Sequence, residues 1–168
     1  HPFFRPIFSQ YGWSCGQASS IGYAFTYEIN RVRNTSASLE ENQYPPLFTF
    51  NFFNHGQDGV GVSYLYTLDA IKHNGNPNVL DYGGMGESLT DWVTGYDTYY
   101  NGMFNRVEEV YALDVGTVEG LQNLKYYLYD HLEGSPYGGV VNFYTDLASV
   151  TTLPAGTPEA GKSVIIEF

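Results

Sequence analysis

Cys15 is the only cysteine of a 168-residue chain, and it stands in SQYGWSCGQASSIGYAFTYEIN, where a turn-rich, serine-preceded stretch runs straight into an amphipathic helical pattern. A thiolate in the first turn of a helix is stabilised by unpaired backbone N–H groups and by the positive end of the helix dipole, which suits a nucleophilic sulfur. Against that stands the common role of a lone cysteine as a small buried hydrophobe. A nucleophile needs a base, and the chain offers four histidines. His1 is terminal, His55 lies in the loop NHGQDG, and His73 and His131 fall near the C-terminal ends of helical patterns, where an imidazolium complements the dipole; all four read as solvated. Glu108 and Glu109 are adjacent, so in a strand they face opposite ways and cannot by themselves form the acid and nucleophile of a glycosidase.

The elements that must position these residues are three helices followed by strands. The first helix is predicted from about Gly16 to Arg33, with Ile21, Phe25, Ile29 and Val32 as its apolar stripe and Gly22 marking the close passage of another backbone. The second runs from about Ser63 to Asn74, with Leu65, Leu68 and Ile71 or Lys72 on successive turns and Gly75 and Pro77 as its stop. The third spans Val118 to Glu133, capped by Thr117, with Leu121, Leu124 or Lys125, Leu128 and Leu132 as its stripe. These stripes read as core, not as cofactor boxes. Strands are predicted at Arg106 to Val115, Val140 to Tyr144 and Ser163 to Phe168, and the stretches 34–46, 76–102 and 146–161 as connections. Helices first and strands later favour α+β over a doubly wound sheet.

Composition narrows the partners. The chain is 43% hydrophobic and 17% aromatic, enough for one globular domain with a real core. A net charge of −11 with only seven Lys and Arg leaves no basic stripe for a phosphate backbone, so nucleic acid is not expected as a partner. No apolar run approaches the roughly 20 residues of a membrane span, and no metal or cofactor is called for. The opening HPFFRPIF, with His1 first, reads as processed or cut from something longer, and Asn34, Thr35 and Ser36 form a glycosylation sequon.

Gln10, Tyr11, Gly12, Trp13, Ser14 and Cys15 stand in the order of glutamine, glycine-containing turn, then cysteine opening a long helix. That order resembles the papain and cathepsin family of cysteine peptidases, in a divergent bacterial branch. GVGVSYLYTLDAIKHNGNPNV resembles the family's glycine-rich cleft segment and the helix after it, and NRVEEVYALDVGTVEGLQNLKYYLYDHLEGSPYGGVVNFYTD resembles its strand, helix and central barrel strand. The resemblance implies a single papain-like domain over residues 1–168, with a helical left domain and part of an antiparallel β-barrel. It implies amide hydrolysis through an acyl-enzyme at Cys15, with Gln10 and the Cys15 backbone N–H as the oxyanion hole. Trp13, Asp58, Gly59, Val60 and Gly61 would bind substrate, the glycines letting an extended peptide pair with the cleft. The partner would be a peptide or protein substrate, met outside the cytoplasm.

The chain also departs from the family. Setting SCGQAS on the family's SCGSCW puts Ala18 where the nucleophile belongs, a register that Glu28 favours and Gln10 does not; both registers stay open, with Cys15 preferred. The family's histidine and asparagine motifs do not occur, and by family order the histidine strand would follow Phe168, so the base is expected on the remaining C-terminal part of the same polypeptide. A second class of function is a catalytically silent module of the same kind that binds peptides or serves in assembly, and sixteen tyrosines are in keeping with it. Carbohydrate binding on aromatic platforms has composition alone behind it.

Overall fold

The computed structural model describes residues 1–57, 59–86, 88–130, 137–143, 150–151 and 165–166. The chain divides into two compact units, His1–Tyr111 and Ala112–Phe168.

The first unit is built on a helix, α1, that runs without a break through residues 15–33. It is α-helical over Cys15–Gln17, π-helical over Ala18–Phe25 and α-helical again over Thr26–Arg33. The Ser20 hydroxyl donates to the Gly16 carbonyl at 2.7 Å and the Thr26 hydroxyl to the Ile21 carbonyl at 3.0 Å. These bonds serve carbonyls in and beside the wide turns. The helix stops at Asn34, which takes the left-handed conformation (φ 52°) that ends a helix. The π stretch changes which residues face inward. Ile21 and Phe25 are buried as their spacing predicts, but Val32 is 71% exposed, and Tyr27, Asn30 and Arg31 hold the inner face of the last turns. A π turn closes i→i+5, so the wider winding moves the stripe by about one residue before α geometry resumes. Gly22 is closely approached by side chains and not by the backbone expected: a methyl there would lie 2.6 Å from Cζ of Phe8.

Helix α2, Pro46–Phe53, starts at a proline whose missing N–H costs nothing in a first turn. It is buried nearly all round, with Leu47, Phe48, Thr49, Phe50 and Asn51 inside. Helix α3, Tyr64–Asn74, is capped by Ser63, whose hydroxyl accepts from the Leu65 N–H at 3.3 Å, and it ends at Gly75. Its inward face carries Thr67 and Ile71 with Leu68 beside them, whereas Leu65 is exposed. Two short helices follow, α4 at Val79–Tyr82 and α5 at Tyr96–Gly102. The core packs Ile21 and Phe25 of α1 on Tyr44 and on Ile71 of α3, with Ile29, Leu68 and Val107 against them. In the second unit, α6 spans Val118–Asp130, and the Thr117 hydroxyl accepts from the Gly120 N–H at 3.0 Å as a cap. Of its predicted stripe Leu124 is buried, Leu121 and Leu128 are more exposed, and Leu132 lies outside the described residues.

The α+β expectation of a papain-like helical domain with part of an antiparallel barrel is overturned. The fold is helical, and strand pairing among the described residues is confined to β1, Val150–Thr151, antiparallel to β2, Ile165–Ile166. Residues 106–115 and 140–143 form no ladder. Val107 packs on the helical core, while Tyr111 is 83% exposed. An alternating apolar pattern becomes a strand only where a neighbouring strand lies alongside to form a ladder, and no ladder includes these segments among the described residues. The predicted connection 76–102 contains α4 and α5, which are too short to show periodicity.

Burial pushes the Tyr82 phenol up to about 12, with Asp91 adding to the effect. An unfolded tyrosine ionises near 10, so between pH ~10 and ~12 the unfolded chain releases the proton first and stability falls as pH rises. The denaturation midpoint is expected to drop across that window, and Tyr82→Phe to make the drop shallower. Comparing the two proteins isolates the phenol, because Arg5, lowered to about 10 by burial, contributes with the opposite sign in the same range. An identical slope in Tyr82→Phe would contradict this role.

Candidate functional site

The turn before α1 sets the site. Gly12 takes a positive φ of 52°, the Ser14 N–H donates to the Tyr11 carbonyl at 3.3 Å, and the fully buried Ser14 hydroxyl donates to the same oxygen at 2.7 Å. Ser14 therefore closes the turn and does not cap the helix. Cys15 follows as the first helical residue and is exposed, while Ala18, one turn on, is buried with 7% exposure.

A strap formed by residues 60–62 lies along this first turn. The Gln17 carboxamide, fully buried, donates to the Val62 carbonyl at 3.0 Å. Gly16 sits so close that a methyl there would be 3.3 Å from the same oxygen, and a methyl on Gly61 would be 3.9 Å from the Trp13 carbonyl. The structure thus brings Trp13, Cys15 and Gly61 to one place. Trp13 is 62% and Val60 40% exposed, Gly59 faces open space, and Asp58 lies outside the described residues. Gln17, which pins the strap, carried no signal in the sequence beyond its place in the helix.

Gln10 is positioned differently. Its carboxamide donates to the Gly12 carbonyl at 3.2 Å, and the residue lines a cavity of about 210 Å³ with Phe8, Tyr11, Pro46, Leu47 and Met85, a wall that does not include Cys15. Of the histidines, His1 packs among Phe3, Phe4 and Tyr27, with ring centroids 5.3, 5.9 and 5.4 Å away. His55 is exposed, His73 pairs with its own helix through the Asp69 carbonyl at 2.9 Å, and His131 lies outside the described residues. Among the described residues no hydrogen bond joins an imidazole to Cys15. Among the described residues no cluster of three or more His, Cys, Asp or Glu could hold a metal, and no described helix is long and apolar enough to cross a membrane.

Behind the cavity lies a residue that sequence reasoning passed over. Arg5 is 93% buried by its 7% exposure, with its guanidinium carbon 4.2 Å from the centre of the Phe8 ring. In HPFFRPIF nothing distinguishes it from a surface arginine, because burial there depends on the distant Gln43, Tyr44 and Met85. Comparison with protein-family models, with curated proteins and with solved structures finds no match to this chain.

Proposed function

We propose that the chain is a thiol-dependent module acting on peptides, with Cys15 as the nucleophile of amide hydrolysis. The observation that carries the reading is the exposed Cys15 at the first residue of α1, beside the glycine-containing strap 60–62. The reading rests on that local arrangement and on the Gln10-to-Cys15 motif, and not on a papain-like architecture. Sγ would attack the scissile carbonyl carbon, the amine would leave with a proton, and water would cleave the resulting thioester. The Cys15 backbone N–H is a free donor of the first turn, and Gln10 would join it by turning its amide away from Gly12. Among the described residues no histidine stands at Cys15 as a base, and an extended peptide would lie along Trp13, Gly59, Val60 and Gly61.

General acid–base help typically contributes about 10²- to 10⁴-fold, so residues 1–168 alone are expected to label but scarcely turn over. A peptidyl chloromethyl ketone should alkylate Cys15 at least about tenfold faster than chloroacetamide does after correction for intrinsic reactivity, a margin of about 1.4 kcal/mol in recognition. Mass spectrometry of the adduct checks the site, and Cys15→Ala should remove it. Equal rates for the two reagents would defeat the reading. The second reading, a silent peptide-binding module, is favoured by the absence of an imidazole bonded to Cys15 among the described residues; peptide binding without any labelling would select it.

A further inference from the structure

Among the described residues, Arg5 is a buried cation with no anion. Its Nη2 donates to the Gln43 side-chain carbonyl at 2.8 Å and to the Met85 sulfur at 3.1 Å, and its Nη1 donates to the Tyr44 carbonyl at 3.4 Å. Its Nε, also buried, has no partner among the described residues. Every acceptor is neutral, and none of the ion pairs among the described residues includes Arg5. A charge taken out of water is costly unless paired, and a thioether is a weak acceptor. Two of the four groups that lie on the guanidinium, the Phe8 ring and the Met85 side chain, are also walls of the 210 Å³ cavity. One layer of side chain therefore separates an uncompensated guanidinium from an open hollow. The rest of that wall is apolar at Pro46, Leu47 and Gly86 and carries polar groups at Ser9, Gln10 and Tyr11.

We infer that this cavity is a carboxylate-binding site, in which the acid group displaces the Met85 sulfur from Arg5 and a short apolar body fills the hollow. A carboxylate matches the guanidinium fork with two parallel bonds, one from the Nη2 that Met85 releases and one from the unpartnered Nε. Met85 suits the part of a movable plug, being unbranched and flexible. The volume lies below the range of about 300–1,000 Å³ typical of drug-sized ligands, which limits the occupant to one residue's worth of atoms. Such a ligand is a free short-chain acid or the C-terminal residue of a peptide. The inference does not depend on Cys15, because it concerns equilibrium binding.

Calorimetry with N-acetyl-leucine, N-acetyl-leucinamide and isovalerate tests it on the whole chain. N-acetyl-leucine is expected to bind at least about tenfold more tightly than its amide, since charge-assisted bonds are roughly twice as strong as neutral ones. If isovalerate matches N-acetyl-leucine, the free acid suffices as ligand; if it binds more weakly, the peptide end is the recognised form. Both outcomes support the site. Arg5→Gln should abolish the preference for the acid. Because that variant risks misfolding, Met85→Leu is the second arm: it keeps the volume, removes the competing sulfur, and should tighten N-acetyl-leucine about threefold or more. Acid and amide binding equally, neither binding, or Met85→Leu leaving the affinity unchanged would overturn the inference and leave Arg5 as a tie between the N-terminal segment and the Gln43–Tyr44 backbone.

Discussion

Gly75→Ala is expected to destabilise the His1–Tyr111 unit by about 4 kcal/mol, the sum of backbone strain and overpacking at about 1–3 kcal/mol each. Gly75 ends α3 with φ 75° and ψ −176°, a conformation essentially reserved for glycine. Its Cα also faces the backbone where α5 ends. A methyl there would overlap the Gly102 carbonyl oxygen, lie 2.7 Å from the carbonyl carbon, and lie 3.0 Å from Cα of Met103. Backbone cannot step aside as a flexible side chain can. Gly102→Ala probes the same contact from the other side, with 2.9 Å to the Pro77 nitrogen and no positive φ, so about half the loss is expected. Chemical denaturation with an unchanged m-value is the measurement. A loss under about 1 kcal/mol for Gly75→Ala would show that the two helix ends are not held this closely.

The second large effect belongs to Asn105, which bonds the same junction. Its Oδ1 accepts from Arg33 Nη1 at 2.9 Å and from the Tyr44 hydroxyl at 3.3 Å, and its Nδ2 donates to the Asn76 carbonyl at 3.0 Å. The backbone adds an Asn76 N–H to Asn105 carbonyl bond at 2.9 Å. Asn105 is 7% exposed and Asn76 fully buried, so water does not replace what is lost. Asn105→Ala strands the Asn76 carbonyl and removes an acceptor from both Tyr44 and Arg33. At about 1–3 kcal/mol per buried group left unsatisfied, a total loss of about 3 kcal/mol is expected. Asn105→Asp keeps the acceptor, places a negative charge beside Arg33 and loses only the donor, so it should cost clearly less. An Asp variant as damaged as the Ala variant would mean that the donor to Asn76 carries the whole effect. A Tyr44→Phe and Asn105→Ala cycle should show coupling of about 0.5 kcal/mol or more.

What the sequence determined by itself are the elements whose signals are local. Ser63 and Gly75 bracket α3, Thr117 caps α6, and the turn at Tyr11–Ser14 delivers Cys15 to the first residue of α1. Caps, glycine stops and turns act through bonds that span a few residues, so residue type and spacing suffice to read them. The elements that were missed or misread depend on partners far along the chain. Helix α2 is buried on nearly every side, and a helix with no solvent face has no amphipathic period to detect. The π turns of α1 shift its inner face, so Val32 points outward although α-helical spacing places it with Ile21 and Phe25. Residues 106–115 alternate like a strand but form no ladder among the described residues, and what holds them is Val107 on the helical core and Glu109 on Lys72 of α3. The site divides the same way. The thiol at the helix start was legible, whereas the strap pinned by Gln17 to Val62 and the burial of Arg5 beneath Phe8 and Met85 arise between segments 45 and 80 residues apart. Only tertiary structure decides such contacts, because each is set by which surfaces pack together, and neither partner's sequence carries a mark of the other.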